Sequence, residues 1–281
     1  MELIVTLSCA DRPGIVNALT GTIFNSGGNI IENQQFTDPL TNTFVMRTGF
    51  EITKNIEEVK LEISKCLAQF NADFQIRENT KKKRALVLVT KEAHCLHDLL
   101  YLEEIGELDI DIVAVASNRE DLSNETEGHD TNFYFLPIND ENSKLNSEIK
   151  MREIIESEKI DFIILARYMQ ILSSEFCKEF SGRIINIHHS FLPGFKGAKP
   201  YHQAYERGVK LIGATAHFVT SDLDEGPIIE QDVENVTHSC LPEELVAIGR
   251  DIERRVLSRA VQNYAQDRIF IVGNRTVVFK K

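Results

Sequence analysis

The stretch Ile184-Ile-Asn-Ile-His-His-Ser-Phe-Leu-Pro193 decides the fold class. Ile184, Ile185 and Ile187 fall on both faces of an extended chain, so the segment reads as a short strand buried on both sides. Strands of that kind belong to mostly parallel sheets wrapped by helices. The same run carries Asn186 and His188 two positions apart, and side chains alternate along a strand, so the two project the same way. An amide and an imidazole placed together can bind a carbonyl oxygen and hydrogen-bond the oxyanion it becomes under attack.

A second stretch, His217-Phe-Val-Thr-Ser-Asp-Leu-Asp-Glu-Gly-Pro227, follows another strand-like run and supplies a carboxylate, Asp224, just before a Gly-Pro turn. Taken singly, Asn, His and Asp near strand ends are turn formers or solvated polar groups that bond local backbone. Together they suggest an acyl group, a carboxylate and water. In an open α/β sheet ligands bind beyond the carboxyl ends of the strands, where Asn186, His188 and the Asp224 loop are expected to converge.

Outward from that strand, the pattern from Ala85 onward alternates apolar runs with longer helical patterns. Strands are expected at 85–89, 110–116, 132–136, 162–165, 184–187, 211–219 and 228–233, with helices near 95–104, 144–156 and 242–266. The first eighty residues have a different rhythm, βαββαβ: strands at 3–8, 30–36, 43–50 and 73–77, and helices at 14–25 and 56–70. That order predicts a small antiparallel sheet with helices on one face. Lys81-Lys-Lys-Arg84 reads as a solvated linker, which places one domain at 1–80 and a second at 85–281.

The chain of 281 residues carries a formal charge of −12, shared by both parts: residues 1–80 hold 6 Lys+Arg against 10 Asp+Glu. An acidic chain disfavours a polynucleotide partner, which requires a basic face. No apolar run approaches the roughly 20 residues that span a bilayer, and the five scattered cysteines lack Cys-x-x-Cys spacing, so a reduced, cytoplasmic, membrane-free setting is expected. His94 and His97 are three apart on a helical pattern without a third ligand at fitting spacing, so no metal is expected.

Asn-x-His-x-Ser-x-Leu-Pro from Asn186, followed by a strand and then Leu223-Asp-x-Gly-Pro227, is similar to the signature of the folate-dependent formyltransferases. The resemblance implies a Rossmann-like catalytic domain in which Asn186, His188 and Asp224 carry the chemistry. It also implies that Ala166, Arg167, Tyr168 and Met169 clasp the pterin, with Thr220, Ser221, Asp222 and Leu223 forming the opposite wall. The first eighty residues resemble an ACT domain, a ferredoxin-like module that commonly binds small amino acids. By that likeness Asp11, Arg12, Pro13 and Gly14 would meet an effector such as glycine or methionine, and a homo-oligomer is expected. A plain strand-to-helix turn accounts equally for Asp11-Arg-Pro-Gly14.

Within this family the acceptor distinguishes the members. The glycinamide ribonucleotide enzyme holds a phosphate on a glycine- and serine-rich loop after the first strand of its catalytic domain. Here Val89-Thr-Lys-Glu-Ala-His-Cys-Leu96 has no glycine and carries Glu92. The methionyl-tRNA enzyme needs a basic surface, which this chain lacks. Water is the acceptor that remains, and the resemblance then implies hydrolysis of 10-formyltetrahydrofolate to formate and tetrahydrofolate, with folate as substrate and no cofactor. This supplies formate for purine synthesis and balances one-carbon pools. The alternatives are formyl transfer to a small amine, glycinamide ribonucleotide for example, or an amino-acid-responsive regulatory protein. Lys196, Gly197, Lys199, Tyr201 and His202 are weaker candidates for the folate tail, on a lid-like loop at 194–202.

Overall fold

The computed structural model describes residues 1–192 and 200–280. The chain divides into two compact units, 1–82 with 266–281, and 83–265.

The first unit begins with β1 (Glu2–Ala10), α1 (Ile15–Asn25), β2 (Asn29–Asp38), β3 (Thr43–Glu51), α2 (Ile56–Ala68) and β4 (Asp73–Glu78). All its pairings are antiparallel, in the order β2-β3-β1-β4, so the βαββαβ expectation holds. Leu19, Ile23, Val59, Ile63 and Leu67 recur at helical spacing and bury one stripe of α1 and α2 against Leu3, Val5 and Leu7 of the sheet. Gly14 enters α1 with φ 98°, a left-handed conformation, and no side chain caps that helix. Asp11 instead accepts a hydrogen bond from Thr37 (3.1 Å), while the Arg12 guanidinium bonds the Gln69 carbonyl and lies 4.6 Å from the Phe70 ring.

The second unit contains β5 (Lys83–Val89), α3 (His94–Glu104), β6 (Ile110–Ser117), β7 (Asn132–Phe135), α4 (Glu141–Ser157), β8 (Phe162–Leu165), α5 (Ser174–Glu179) and β9 (Ile184–His188). It continues through α6 (Pro200–Glu206), β10 (Leu211–Phe218), β11 (Ile228–Asn235) and α7 (Pro242–Ala265). The sheet runs β11-β10-β9-β8-β5-β6-β7, with β7 to β9 parallel and β10 and β11 antiparallel at one edge. Strand order reverses direction between β5 and β8, the switch point beside which α/β sheets open a crevice. Helix α7 packs across β9, β10 and β11, with Ile252, Val256, Leu257, Ala260 and Val261 buried.

The boundary at 85–281 is corrected at its far end, because a terminal hairpin, β12 (Ile269–Val272) and β13 (Arg275–Val278), belongs to the first unit. The cause is both apolar and ionic. Phe270, Val272 and Phe279 share a small core with Val45. Arg268 is 3% exposed and gives Glu32 two hydrogen bonds, at 2.9 and 3.0 Å, while Arg47 bonds both Glu32 (2.6 Å) and the Gln266 carbonyl (2.9 Å). Burial opposes ionisation of Glu32, yet the bonds and charge of Arg268 and Arg47 hold its carboxyl below the usual range. Removing one partner of so buried a group costs about 3 kcal/mol.

Candidate active site

Strand β9 sets the site. Asn186 and His188 project together, as strand alternation requires, and the antiparallel partner β10 places His217 directly opposite Asn186. A bulge between β10 and β11 at Ala216/His217 tightens the local twist at this position. His217 is 2% exposed; its Nδ1–H donates to the Phe218 carbonyl (2.9 Å), which only accepts, and Asn186 Nδ2 donates to its Nε2 (3.1 Å).

The carboxylate arrives by a less direct route. Because β10 runs antiparallel, its end pairs with the start of β9: Phe218 faces Ile185, and the Val219 amide bonds the Ile184 carbonyl (2.9 Å). The loop after β10 therefore starts about 10 Å from His188 along the strand and must double back. Gly226 makes the reversal possible, since a Cβ there would lie 1.8 Å from the Phe218 oxygen. Asp224 sits in the left-handed region (φ 57°), which Asp tolerates better than most residues, and its Oδ1 comes to 3.3 Å from His188 Nδ1 and 3.7 Å from His217 Nε2. Convergence is achieved by this fold-back rather than by a shared strand end. Hydrogen bonding from His188 holds the Asp224 carboxyl well below the usual carboxylate range against the opposing effect of burial, with His217 close beside it.

These groups line a cleft of about 620 Å³, within the span typical of small-molecule sites. Arg167, Tyr168, Met169 and Thr220 to Leu223 line it too, whereas Ala166 is fully buried outside the lining and donates its amide to the Leu88 carbonyl (2.9 Å). Gln170, Ile171 and Leu172 extend the same wall. Met169, Ile171 and Leu223 are exposed apolar side chains on the cleft, a surface suited to an aromatic ring. The segment is fixed at both ends: Thr90 Oγ1 accepts from the Met169 amide (3.0 Å), and buried Glu148 accepts from the Ser173 amide and hydroxyl, both at 2.6 Å. Ser173 also caps α5. Burial pushes the Tyr168 phenol up to about 12.

A second polar cluster lines the cleft, and little in the sequence pattern marks it. Glu253 on α7, 1% exposed, accepts from Tyr201 Oη (2.7 Å), lies 2.8 Å from His94 Nε2, and is 3.5 Å from Arg167 Nε. Its position on a helix face rich in aliphatic residues reads as core. Glu92 pairs with Arg250 at the same cleft (2.8 Å). His94, Cys95 and Glu253 offer atoms within 4.8 Å of one another, the spacing of a metal trio, but Glu253 is already engaged by His94, Tyr201 and Arg167. His202 lines the cleft; Lys196, Gly197 and Lys199 lie outside the described residues.

Among the described residues, the buried atoms His188 Nε2, His189 Nδ1, Arg167 Nε and His94 Nδ1 have no hydrogen-bond partner, and all four residues line this cleft. Buried polar groups are rarely left so unless a bound group satisfies them. His188 and His189 meet edge to face, with ring centroids 5.1 Å apart. Burial, then the Arg167 charge, pushes His189 down to about 4.

The model of the formyl transferase family matches residues 83–261, with Asn186, His188 and Asp224 inside the matched span. A formyltetrahydrofolate deformylase of Corynebacterium sp. (strain P-1) is 44% identical over 280 residues, covering 99% of this chain and 98% of that protein. The chain belongs to the formyltetrahydrofolate deformylase family. A crystal structure of a formyltetrahydrofolate deformylase from Burkholderia mallei superposes with a TM-score of 0.96 at 44% identity, covering 99% of both chains. Glycinamide ribonucleotide transformylase 1 from Symbiobacterium toebii reaches 0.66 at 27% identity over 73% of this chain and 97% of its own. The deformylase likeness thus takes in both units, while the transformylase likeness is partial.

The low value for His189 gives a stability prediction. Between about pH 4 and the ordinary histidine value near 6.5, the unfolded chain binds a proton there that the folded chain does not, so stability falls with acidification through this window. The ceiling is ~1.4 kcal/mol per pH unit for one proton. Denaturant unfolding of wild type and His189→Asn at pH 7.0, 6.0 and 5.0 is expected to show a shallower loss in the variant; parallel curves would assign the pH dependence elsewhere.

Proposed function

We propose that the protein hydrolyses 10-formyltetrahydrofolate to formate and tetrahydrofolate, with Asn186, His188 and Asp224 as the catalytic groups. The observation that carries the reading is the Asp224–His188 pair at 3.3 Å, with His188 Nε2 buried in the cleft and without a partner among the described residues. A carboxylate only accepts, so His188 Nδ1 carries the proton facing Asp224, and Nε2 is the atom that meets the reacting groups.

Water oxygen forms a bond to the formyl carbon, and the carbonyl becomes an oxyanion. Asn186 spends one amide hydrogen on His217, leaving the second for that oxygen. The departing water proton passes to the Asp224–His188 pair. Ionised Asp224 favours placing it on His188 Nε2, which returns it to N10 as the C–N10 bond breaks. Formic acid then loses its own proton, leaving formate and tetrahydrofolate. Tyr168, Met169 and the wall from Thr220 to Leu223 hold the pterin in this reading, with Arg167 beside them. No step calls for a cofactor.

Two features favour water over a phosphorylated amine. The segment after β5 has no glycine cradle, and Glu92, which sits in it, occupies the cleft-lining Arg250 (2.8 Å) that would otherwise meet a phosphate. We place the reaction in the cytoplasm: all five cysteines are free, and no described helix is long and apolar enough to cross a membrane. Formate is thereby released for purine synthesis and the one-carbon folate pool is balanced.

We further infer that the first unit is an ACT-like regulatory module in a homo-oligomer, supported by its βαββαβ order and its sheet order β2-β3-β1-β4. Its expected effector is a small amino acid such as glycine or methionine, met by the segment from Asp11 to Gly14.

Purified protein is expected to release formate from 10-formyltetrahydrofolate with no amine present; turnover only after glycinamide ribonucleotide is added would make it a transferase. Asp224→Asn keeps the shape of the side chain and removes its charge, so folate binding is expected to persist while kcat falls by about 10²–10⁴-fold. Near-normal turnover would exclude Asp224. A titration of glycine, methionine and the other amino acids against hydrolysis rate is expected to reveal one effector, and flat activity across the panel would remove the regulatory reading.

A further inference from the structure

Glu253, Tyr201 and His94 have no part in the hydrolysis above, yet they line the same cleft as Asn186, His188 and Asp224. The two groups adjoin at His189, which feels the charges of both Glu253 and Asp224. Glu253 is the most deeply buried carboxylate lining the cleft among the described residues. Burial opposes its ionisation most strongly, but the bond from His94, the Arg167 charge and the bond from Tyr201 lower its pKa below the usual value. A buried carboxylate beside a formyl group is what would recognise the N–H groups of an amine acceptor.

That carboxylate is covered. Tyr201 donates to Oε1 at 2.7 Å, and His94 Nε2 lies 2.8 Å from Oε2. The Tyr201 ring is seated where α7 has Gly249, one helical turn before Glu253. A Cβ at 249 would come within 2.1 to 2.5 Å of three Tyr201 ring and hydroxyl atoms. Gly249 costs α7 roughly 1 kcal/mol relative to alanine, and the space it leaves is occupied by this one side chain. Ring, notch and carboxylate form a fitted set, 7% exposed at Tyr201.

We propose that Tyr201, seated on Gly249 and bonded to Glu253, is the residue that restricts the formyl acceptor to water. The inference rests on the deformylase reading. Water needs no recognising carboxylate and fits beside a filled cleft wall; an amine needs a free carboxylate oxygen and binds better still where the ring's volume is released. With Tyr201 displaced, an amine nitrogen forms the bond to the formyl carbon, the C–N10 bond breaks, and the amine proton ends on N10, giving a formamide and tetrahydrofolate.

The test is product partitioning with glycinamide, a small primary amine, at pH 8, where α-amino groups are about half unprotonated. Formate and N-formylglycinamide are measured together for wild type, Tyr201→Phe and Gly249→Ala. Wild type is expected to give formate alone. Gly249→Ala drives the ring out of its seat, and a formylated amine amounting to at least a tenth of the product is expected. Tyr201→Phe keeps the packing and frees only Oε1, so a smaller share that rises and saturates with amine concentration is expected, and this variant decides the matter if Gly249→Ala fails to fold. Formate alone from both variants, or from Tyr201→Phe when it is the only folded one, overturns the proposal, as does formylated amine from wild type. No formate from wild type would instead overturn the deformylase reading beneath it.

Discussion

The antiparallel pairing of β9 with β10 is the constraint on which the candidate site depends. Five strands of the sheet are parallel, and a sixth parallel strand beside β9 would have sent its following loop out at the same end as His188. Reversal puts that loop at the other end and forces the return that brings Asp224 back across the strands. It also sets His217 against Asn186, so one hydrogen-bonding register fixes the amide, a second imidazole and the course of the carboxylate loop. The left-handed backbone at Asp224 and the glycine that tolerates contact with Phe218 are local costs of that return, stabilised by the bonds Asp224 accepts.

Charge is arranged in the cleft by mutual engagement. Two carboxylates with low pKa values face it, and each is held by histidine: Asp224 by His188, Glu253 by His94 with Tyr201 and Arg167. His189 stands between them and is kept neutral by burial and by Arg167. The consequence is an interior whose anions are already satisfied while several ring nitrogens are not. Such a lining accepts a polar, uncharged amide and small hydrogen-bonding molecules more readily than a further anion.

Sequence reading reached the parts that local rules govern. Alternation placed Asn186 and His188 on one side of a strand, and runs such as Phe162 to Leu165 were legible as buried strands because both faces are apolar. Pro242 was legible as the start of α7 for its fixed φ. His217 was not, because its role exists only in the register between strands 31 residues apart. Glu253 was hidden by its own helix, where one carboxylate among Ile252, Val256 and Leu257 reads as core. The terminal hairpin escaped assignment although Gly273-Asn274 between two apolar runs signals a two-residue turn. Its home was invisible for another reason: Arg268 and Glu32 are 236 positions apart.

That separation has a consequence for how the chain is made. The second unit is continuous from Lys83 to Ala265, so every residue it needs is joined to the chain before the hairpin is. The first unit is begun earliest and finished latest. Until Arg268 arrives, Glu32 and Arg47 have only each other, and the Val45 side of the sheet lacks Phe270, Val272 and Phe279. The first unit therefore brackets the second in order of synthesis, and its sheet is completed only when the hairpin beyond Ala265 packs on it.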